Sequence, residues 1–233
     1  MDSLLNKIAK DNVYGIGMAK ISTEYCCNIF KNYLKGDSIL ELGPADGIMT
    51  DKIYPNWGGD YTCVDGAQEY ISRLKNKFPK IEAFCSYFED FKPSHKYDNI
   101  ILGHVLEHVD NPNMILNLCK SWLNPNGVIL CAVPNANSLH RQAAVKMGLL
   151  KSIYSFSEKD IHHGHQRIYD PISLKNEFEK AGLKIYKFGG YWLKVLSDSQ
   201  IEYSWSDKLV NAYMQLGELY LDIAGEIYII ASV

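Results

Sequence analysis

The histidines are the residues of this sequence best suited to acid–base chemistry, and they are unevenly distributed. Six of the seven follow the fourth apolar run or lie in the polar stretch beyond residue 134: His104, His108, His140, His162, His163 and His165. An imidazole titrates near neutral pH, so it can take a proton from a hydroxyl as a bond forms to the oxygen. We predict that a base, if the reaction needs one, is His165, His163 or His140. We expect His108 to pack at the start of a helix.

The run His162-His163-Gly164-His165 has two other interpretations, a solvated loop and a metal site. Zinc sites combine histidine with cysteine or carboxylate ligands in recognisable spacings. A His-His-x-His run by itself is weak evidence for such a site, so the sequence favours no metal ion.

Cations and aromatic residues alternate in the second half of the chain. Arginine forms paired hydrogen bonds with phosphate or carboxylate, and aromatic rings can stack on a sugar or base. This pattern predicts a pocket for an anionic acceptor, with ordinary surface charges as the alternative. The candidate acceptor-binding residues are Tyr14, Asn135, Arg141, Arg167, Tyr169 and Lys194.

A turn of small residues follows the first apolar run, and a carboxylate follows the second. Gly43 to Gly47 lead from one strand into a helix, and Asp65 ends the next strand. Small residues let a ligand lie against the backbone, and ligands of open α/β sheets bind at the carboxyl ends of the strands. Alternatively, the glycines serve a tight turn and Asp65 caps a helix. A dinucleotide-dependent dehydrogenase is disfavoured because the G-x-G-x-x-G spacing is absent.

Short apolar runs alternate with amphipathic stretches, as in a parallel sheet covered by helices. The predicted strands are 38–42, 61–64, 81–85, 99–102, 128–133, 184–188 and 226–231, and the predicted helices are 47–54, 68–78, 113–123, 172–181 and one near 208–221. The last two strands suggest an antiparallel edge. We therefore predict a Rossmann-like α/β fold with a seven-stranded, mostly parallel sheet, an antiparallel terminal strand and helices on both faces.

One domain, 1–233, is expected, in four segments. Residues 1–36 form a helical N-terminal cover, 37–134 a ligand-binding core, 135–170 a substrate-side cap, and 171–233 the C-terminal helices and edge strands.

Composition excludes several classes of protein. Hydrophobic residues make up 47% and charged residues 22%, which is typical of a folded soluble chain. The net charge of −3 provides no basic field for nucleic acid, and no stretch approaches the ~20 apolar residues of a membrane span. Six cysteines without a Cys-x-x-Cys pair predict reduced, structural thiols. We expect a cytoplasmic protein.

Four motifs, in order along the chain, resemble those of the class I S-adenosylmethionine-dependent methyltransferases. Residues 41–47 resemble the acid-x-Gly-x-Gly-x-Gly loop, with Ala45 in place of the middle glycine, and Asp65 matches the ribose-binding acid. Residues 97–109 resemble the fourth-strand motif with its Leu-Glu-His-Val ending. Residues 123–128 resemble the Leu-x-Pro-Gly-Gly turn, with Asn126 replacing one glycine. The resemblance runs from about residue 35 to the C-terminus.

The resemblance implies S-adenosylmethionine as the cofactor, with S-adenosylhomocysteine as its product. The residues that it implies for cofactor binding are Glu41, Gly43, Pro44, Ala45, Gly47, Asp65, Gly66, Ser86, Tyr87, Phe88, Gly103 and His104.

Three further segments, 133–141, 164–170 and 189–194, are similar to a bacterial methyltransferase subgroup associated with surface glycans and nucleotide-linked small molecules. This similarity implies methyl transfer to oxygen, ahead of nitrogen, of a small polar acceptor that is anionic or linked to a sugar or nucleotide. A capsule precursor or its phosphoramidate is one such acceptor. The alternative is a non-catalytic binding protein that keeps the cofactor fold. Nucleic acid and membrane are not expected as partners, and a homodimer is left open.

Overall fold

A seven-stranded sheet lies at the centre of the molecule. The computed structural model describes residue 9 and residues 15–233, and Tyr14 lies outside them. The strands are β1 (Ser38–Leu42), β2 (Asp60–Asp65), β3 (Glu82–Cys85), β4 (Tyr97–Gly103), β5 (Leu123–Pro134), β6 (Lys184–Tyr191) and β7 (Glu226–Ser232). Their spatial order is β3-β2-β1-β4-β5-β7-β6.

The sheet is parallel from β3 to β5, and β7 is antiparallel to both of its neighbours. The predicted fold class and antiparallel terminal strand are confirmed. The last strand lies inside the sheet, between β5 and β6, and β6 forms the edge.

Helices flank the sheet. They are α1 (Gly17–Lys31), α2 (Ile48–Ile53), α3 (Gln68–Lys77), α4 (Pro112–Trp122), α5 (Leu139–Lys146), α6 (Glu158–His162), α7 (Pro171–Lys180), α8 (Asp198–Ser204) and α9 (Asp207–Leu219). Local sequence explains where α4 begins. The Asn111 side chain accepts a hydrogen bond from the Met114 backbone, and Pro112 occupies the first turn, where its missing N–H costs nothing.

Both faces of the sheet are buried under apolar side chains. Successive strand residues point to opposite faces, so Leu40 and Leu42 join one core cluster while Ile39 joins the other. Burial on both sides explains why β1 and β4 read as nearly continuous apolar runs rather than as alternating ones.

Two expectations from composition can be compared with the fold. All six cysteines lie in the described part of the chain and carry free thiols. No helix within residues 15–233 has the length and hydrophobicity needed to cross a bilayer.

Candidate active site

A cavity of about 490 Å³ lies at the carboxyl ends of β1, β2 and β4, where the topology predicts ligand binding. Every residue that the sequence predicted for cofactor binding lines it except Gly47. The lining includes the turn after β1 and Asp65, and also a second group, called the histidine end, that consists of His104, His108, His163 and Gln166. The fold thus joins the small-residue turn and part of the histidine set in one space.

The turn after β1 has an unusual backbone that explains its composition. Gly43, Ala45 and Gly47 all have positive φ angles, of 64°, 48° and 75°. A side chain at such a residue collides with its own backbone, which costs roughly 1–2 kcal/mol. A Cβ at Gly43 would also approach Val105 Cγ2 to 3.0 Å. Gly43 is therefore favoured for two reasons, its backbone conformation and the lack of space for a side chain. Ala45 has a similar backbone conformation and bears the strain that a glycine at this position would avoid.

Asp65 faces this turn with a carboxylate that still has acceptor capacity. Its Oδ1 accepts a hydrogen bond from the Ala67 backbone at 2.8 Å, and Oδ2 accepts one from Ala45 at 3.3 Å. Burial raises the pKa of this carboxyl to about 6, although the two backbone donors partly offset that effect. Each oxygen has further lone pairs on the cavity side, so the carboxylate fits the hydroxyl pair of a ribose.

Glu41 lines the same end but is held by the protein. Its Oε2 accepts hydrogen bonds from Thr50 Oγ1 at 2.5 Å and from Tyr61 at 2.7 Å. Burial raises the pKa of Glu41 despite these donors. Because Thr50 belongs to α2 and Tyr61 to β2, the carboxyl fastens both elements around the turn.

The imidazoles at the histidine end of the cavity differ in their charge states. Burial lowers the pKa of His104, but Glu226 and Glu107 outweigh that effect and raise it to about 9. His104 also has a positive φ of 58°, which is uncommon for a residue other than glycine. Burial, together with the charge of Lys159, lowers the pKa of His163 to about 4. At neutral pH, His104 is therefore cationic and His163 is neutral.

Comparison with known proteins identifies the family and the cofactor. A model of the methyltransferase domain family matches residues 18–187, most of the chain. The chain belongs to this family. It is an S-adenosylmethionine-dependent methyltransferase, and S-adenosylmethionine is its cofactor. The non-catalytic alternative is therefore not retained.

Individual relatives of the methyltransferase are distant. The ubiquinone biosynthesis O-methyltransferase of Neisseria meningitidis serogroup C (strain 053442) is 24% identical over 176 residues, covering 71% of each chain. A methyltransferase structure from Archaeoglobus fulgidus has a TM-score of 0.61 at 19% identity, covering 92% of this chain and 94% of the other. The N-methyltransferase NodS from Bradyrhizobium japonicum WM9, in complex with S-adenosylhomocysteine, has a TM-score of 0.61 at 11% identity, covering 99% and 98%. The two structures support the fold.

His165 lies behind the cavity wall of the methyltransferase rather than among the residues that line it. Its Nδ1 is 3.2 Å from Asp160 Oδ1, and its ring stands edge-on to that of His108 with centroids 4.8 Å apart. His163 and His108 both reach the cavity. Of the three predicted bases, His163 is the one among the described residues that lines this cavity.

The two arginines predicted to hold an anionic acceptor face the protein instead. Arg141 is buried, where it pairs with Asp160 at 2.9 Å and donates to the backbone carbonyls of residues 153 and 155. Arg167 donates to three backbone carbonyls within residues 106–110. Neither lines the cavity. The structure thus corrects the expectation for both: each guanidinium group donates to backbone carbonyls of neighbouring loops.

Three other predicted acceptor-side residues, Asn135, Tyr169 and Lys194, do not line the cavity either. The Asn135 side chain is held by the carbonyls of residues 222 and 224, and Tyr169 is buried beside it through a β-bridge. Lys194 pairs with Asp198 at 2.5 Å and covers the Trp192 ring. These residues have structural contacts, which corrects their assignment to the acceptor.

His140, the third predicted base, is also absent from the cavity lining. Burial, with the neighbouring charges of Lys194 and Arg141, lowers its pKa to about 3. Because it does not line the cavity, His140 is not placed to take a proton from a ligand bound there.

Three acidic residues near the histidines were missed as site residues. Glu107 belongs to the Leu-Glu-His-Val motif, but no binding or catalytic role was predicted for it from the sequence. Asp160 could have been found from the Ser157-x-x-Asp160 spacing, which forms a capping box at the start of α6. Glu226 carried no local signal, because only the insertion of β7 beside β5 brings it to within 3.9 Å of His104.

Proposed function

We propose that the methyltransferase transfers its methyl group to an oxygen of a small polar acceptor that enters at the histidine end of the cavity. The observation that carries the proposal is that His163, an imidazole that is unprotonated at neutral pH, lines the same cavity as the turn and Asp65. The pKa of His108 is also lowered, chiefly by burial. An unprotonated imidazole can accept the proton that a hydroxyl must lose.

The cavity size and the relatives support this acceptor class. A volume of about 490 Å³ falls within the range of roughly 300–1,000 Å³ typical of small-molecule sites. Curated relatives at 24–27% identity are named as O-methyltransferases, which favours oxygen over nitrogen.

The charge of the cavity disfavours an anionic reacting group. Among the described residues, no lysine or arginine lines it, whereas Glu41, Asp46, Asp65, Glu89 and Asp110 do. A sugar- or nucleotide-linked acceptor, including a surface-glycan precursor, is a narrower form of the proposal. Its phosphate would lie outside the described lining, because Arg141 and Arg167 are engaged elsewhere.

The residues of this chain divide the work between the two ends. When bound, S-adenosylmethionine supplies an electrophilic methyl group on a sulfonium sulfur. Asp65 and the turn at 43–47 would hold the adenosine part of the cofactor. His163 would take the proton of the acceptor hydroxyl on a ring nitrogen. The products are a methyl ether and S-adenosylhomocysteine, and alignment of the partners supplies much of the rate.

Methyl-¹³C-labelled S-adenosylmethionine tests this proposal. The enzyme is incubated with hydroxylated aromatic acids, free sugars and sugar nucleotides, and the labelled product is assigned by NMR as O-methyl or N-methyl. We expect O-methyl product, and lower turnover in His163→Gln than in the control His95→Gln, which changes an exposed histidine outside the cavity. Label on nitrogen would contradict the proposal, as would full turnover in His163→Gln.

A further inference from the structure

Glu107 is a buried carboxylate whose two oxygens lack a hydrogen-bond partner among the described residues. Glu107 is 1% exposed. The nearest cation is His104, whose Nδ1 lies 3.4 Å from Oε1. A buried polar atom without a partner costs roughly 1–3 kcal/mol, and more when it is charged. Such an atom commonly marks the place of an ion or a water molecule.

Two imidazoles stand beside this carboxylate. Glu107, His108 and His165 each offer one ligand atom, and these atoms lie within 4.8 Å of one another. Ligand atoms around one tetrahedral zinc-sized ion, at bonds of about 2.0–2.2 Å, are about 3.3–3.6 Å apart. Side-chain rotations that move these atoms by up to about 1 Å would therefore close the three groups around a common ion.

Both histidines also have the outer contacts that orient metal-bound imidazoles. A ligating histidine usually gives its second nitrogen to a carboxylate or a backbone carbonyl. His165 Nδ1 faces Asp160 Oδ1 at 3.2 Å, and His108 has a hydrogen bond with the Gly164 backbone. Asp160 is in turn fixed by Arg141 at 2.9 Å and by Ser157 Oγ at 2.7 Å.

The backbone keeps the two ligand segments in register. Gln166 N donates to the Glu107 carbonyl at 2.8 Å, and the Gln166 side chain donates to the His108 carbonyl at 2.8 Å. The residue after His165 is thus hydrogen-bonded to both other ligand residues, so the cluster does not depend on a single side-chain contact.

We propose that Glu107, His108 and His165 bind one divalent transition-metal ion, such as Zn²⁺ or Co²⁺, at the histidine end of the cavity. Two imidazoles and one carboxylate suit these ions better than Mg²⁺ or Ca²⁺, which prefer oxygen ligands. His108 lines the cavity, so an open coordination position can face the acceptor. A hydroxyl bound there would lose its proton more readily. This catalytic consequence rests on the proposed function, whereas the binding site does not.

The test uses the full chain, freed of any affinity tag, stripped with EDTA and dialysed. Co²⁺ is added without cofactor or acceptor, and binding is followed by calorimetry and by visible absorption. We expect one Co²⁺ per chain with nitrogen and oxygen ligation, and displacement by Zn²⁺. Glu107→Gln and His165→Ala should each weaken binding at least tenfold, whereas the matched control His95→Ala should not. Circular dichroism confirms that each variant is folded.

The wild-type measurement keeps the proposal falsifiable even if a variant does not fold. Absence of stoichiometric binding by the wild type would overturn the site, and so would a thiolate-to-cobalt absorption band. Methyl transfer is then measured with stripped and with Zn²⁺-loaded enzyme. If binding is stoichiometric but transfer is the same in both, the site stands and its catalytic consequence is wrong. If no acceptor is methylated by either form, only the proposed function fails.

Discussion

Asp65→Asn is expected to change cofactor affinity and apo stability in opposite directions. The substitution keeps the size of the side chain but removes its charge. The ribose hydroxyls then lose a charged acceptor, which weakens S-adenosylmethionine binding by roughly 1–3 kcal/mol, or about 5- to 150-fold. The same change relieves the protein of a buried charge.

The stability gain follows from the pKa of this carboxyl. Burial raises it from 3.8 to about 6, so keeping Asp65 ionised at pH 7 costs the folded state about 3 kcal/mol, at about 1.4 kcal/mol for each pKa unit. The asparagine has one carbonyl oxygen for the two backbone donors, Ala67 and Ala45. Losing the longer of these hydrogen bonds costs about 1–2 kcal/mol. We expect the apo variant to be more stable than the wild type by about 1–2 kcal/mol at pH 7.

The sign of the pH dependence provides an independent check. Because the folded pKa lies above the unfolded one, the cost of ionisation is absent below about pH 4, grows between pH 4 and 6, and is constant above. The stability difference between variant and wild type should therefore shrink as the pH falls from 7 toward 4.

Urea denaturation of the apo proteins at several pH values, together with calorimetric titration of S-adenosylmethionine, measures both effects. Unchanged affinity in Asp65→Asn would refute the ribose role. An apo variant that is less stable than the wild type at pH 7 would refute the reasoning about buried charge.

Three further substitutions test other parts of the site. Gly43→Val should abolish S-adenosylmethionine binding in calorimetry and cost the fold roughly 1–2 kcal/mol in urea, because φ is +64° and Cβ would meet Val105; a folded variant with normal affinity would contradict this. Arg141→Met should lower the free energy of unfolding by about 3–5 kcal/mol, since Asp160 is left buried without its cation; a change below 1 kcal/mol would count against a structural role. The wild type should lose stability between pH 6.5 and 9 relative to His104→Asn, because protonated His104, with its pKa raised to about 9, stabilises the fold until it loses its proton. Parallel profiles of unfolding free energy against pH for the two proteins would exclude this effect.

Local sequence was sufficient for the strands, the turn and the cofactor end of the cavity. The run before Gly43 is apolar because both faces of β1 are buried, and the small residues after it are required by three positive φ angles. Asp65 needed only the rule that the carboxyl ends of neighbouring parallel strands meet. In each case the determinant lies within a few residues of the feature, so a single sequence carries it.

The cationic residues show where this reasoning fails. Arg141 and Arg167 were interpreted as acceptor ligands because a guanidinium binds anions well. The same planar donors bind carboxylates and backbone carbonyls of the protein itself, and Arg141 donates to the carbonyls of residues 153 and 155 as well as to Asp160. Residue type specifies what an arginine can bind, but not which partner is near.

The sequence by itself thus determined the α/β architecture through its periodicity, and its contiguous motifs indicated the cofactor through their resemblance to a known family. Only the tertiary structure decided the chemistry of the histidine end. His165 is far along the chain from Glu107 and His108, yet pairing of the 164–167 segment with 106–110 places the three ligand atoms within 4.8 Å. Glu226 reaches His104 only because β7 inserts beside β5. Charge states in this cluster depend on distances and burial across distant segments, and no local pattern encodes those quantities.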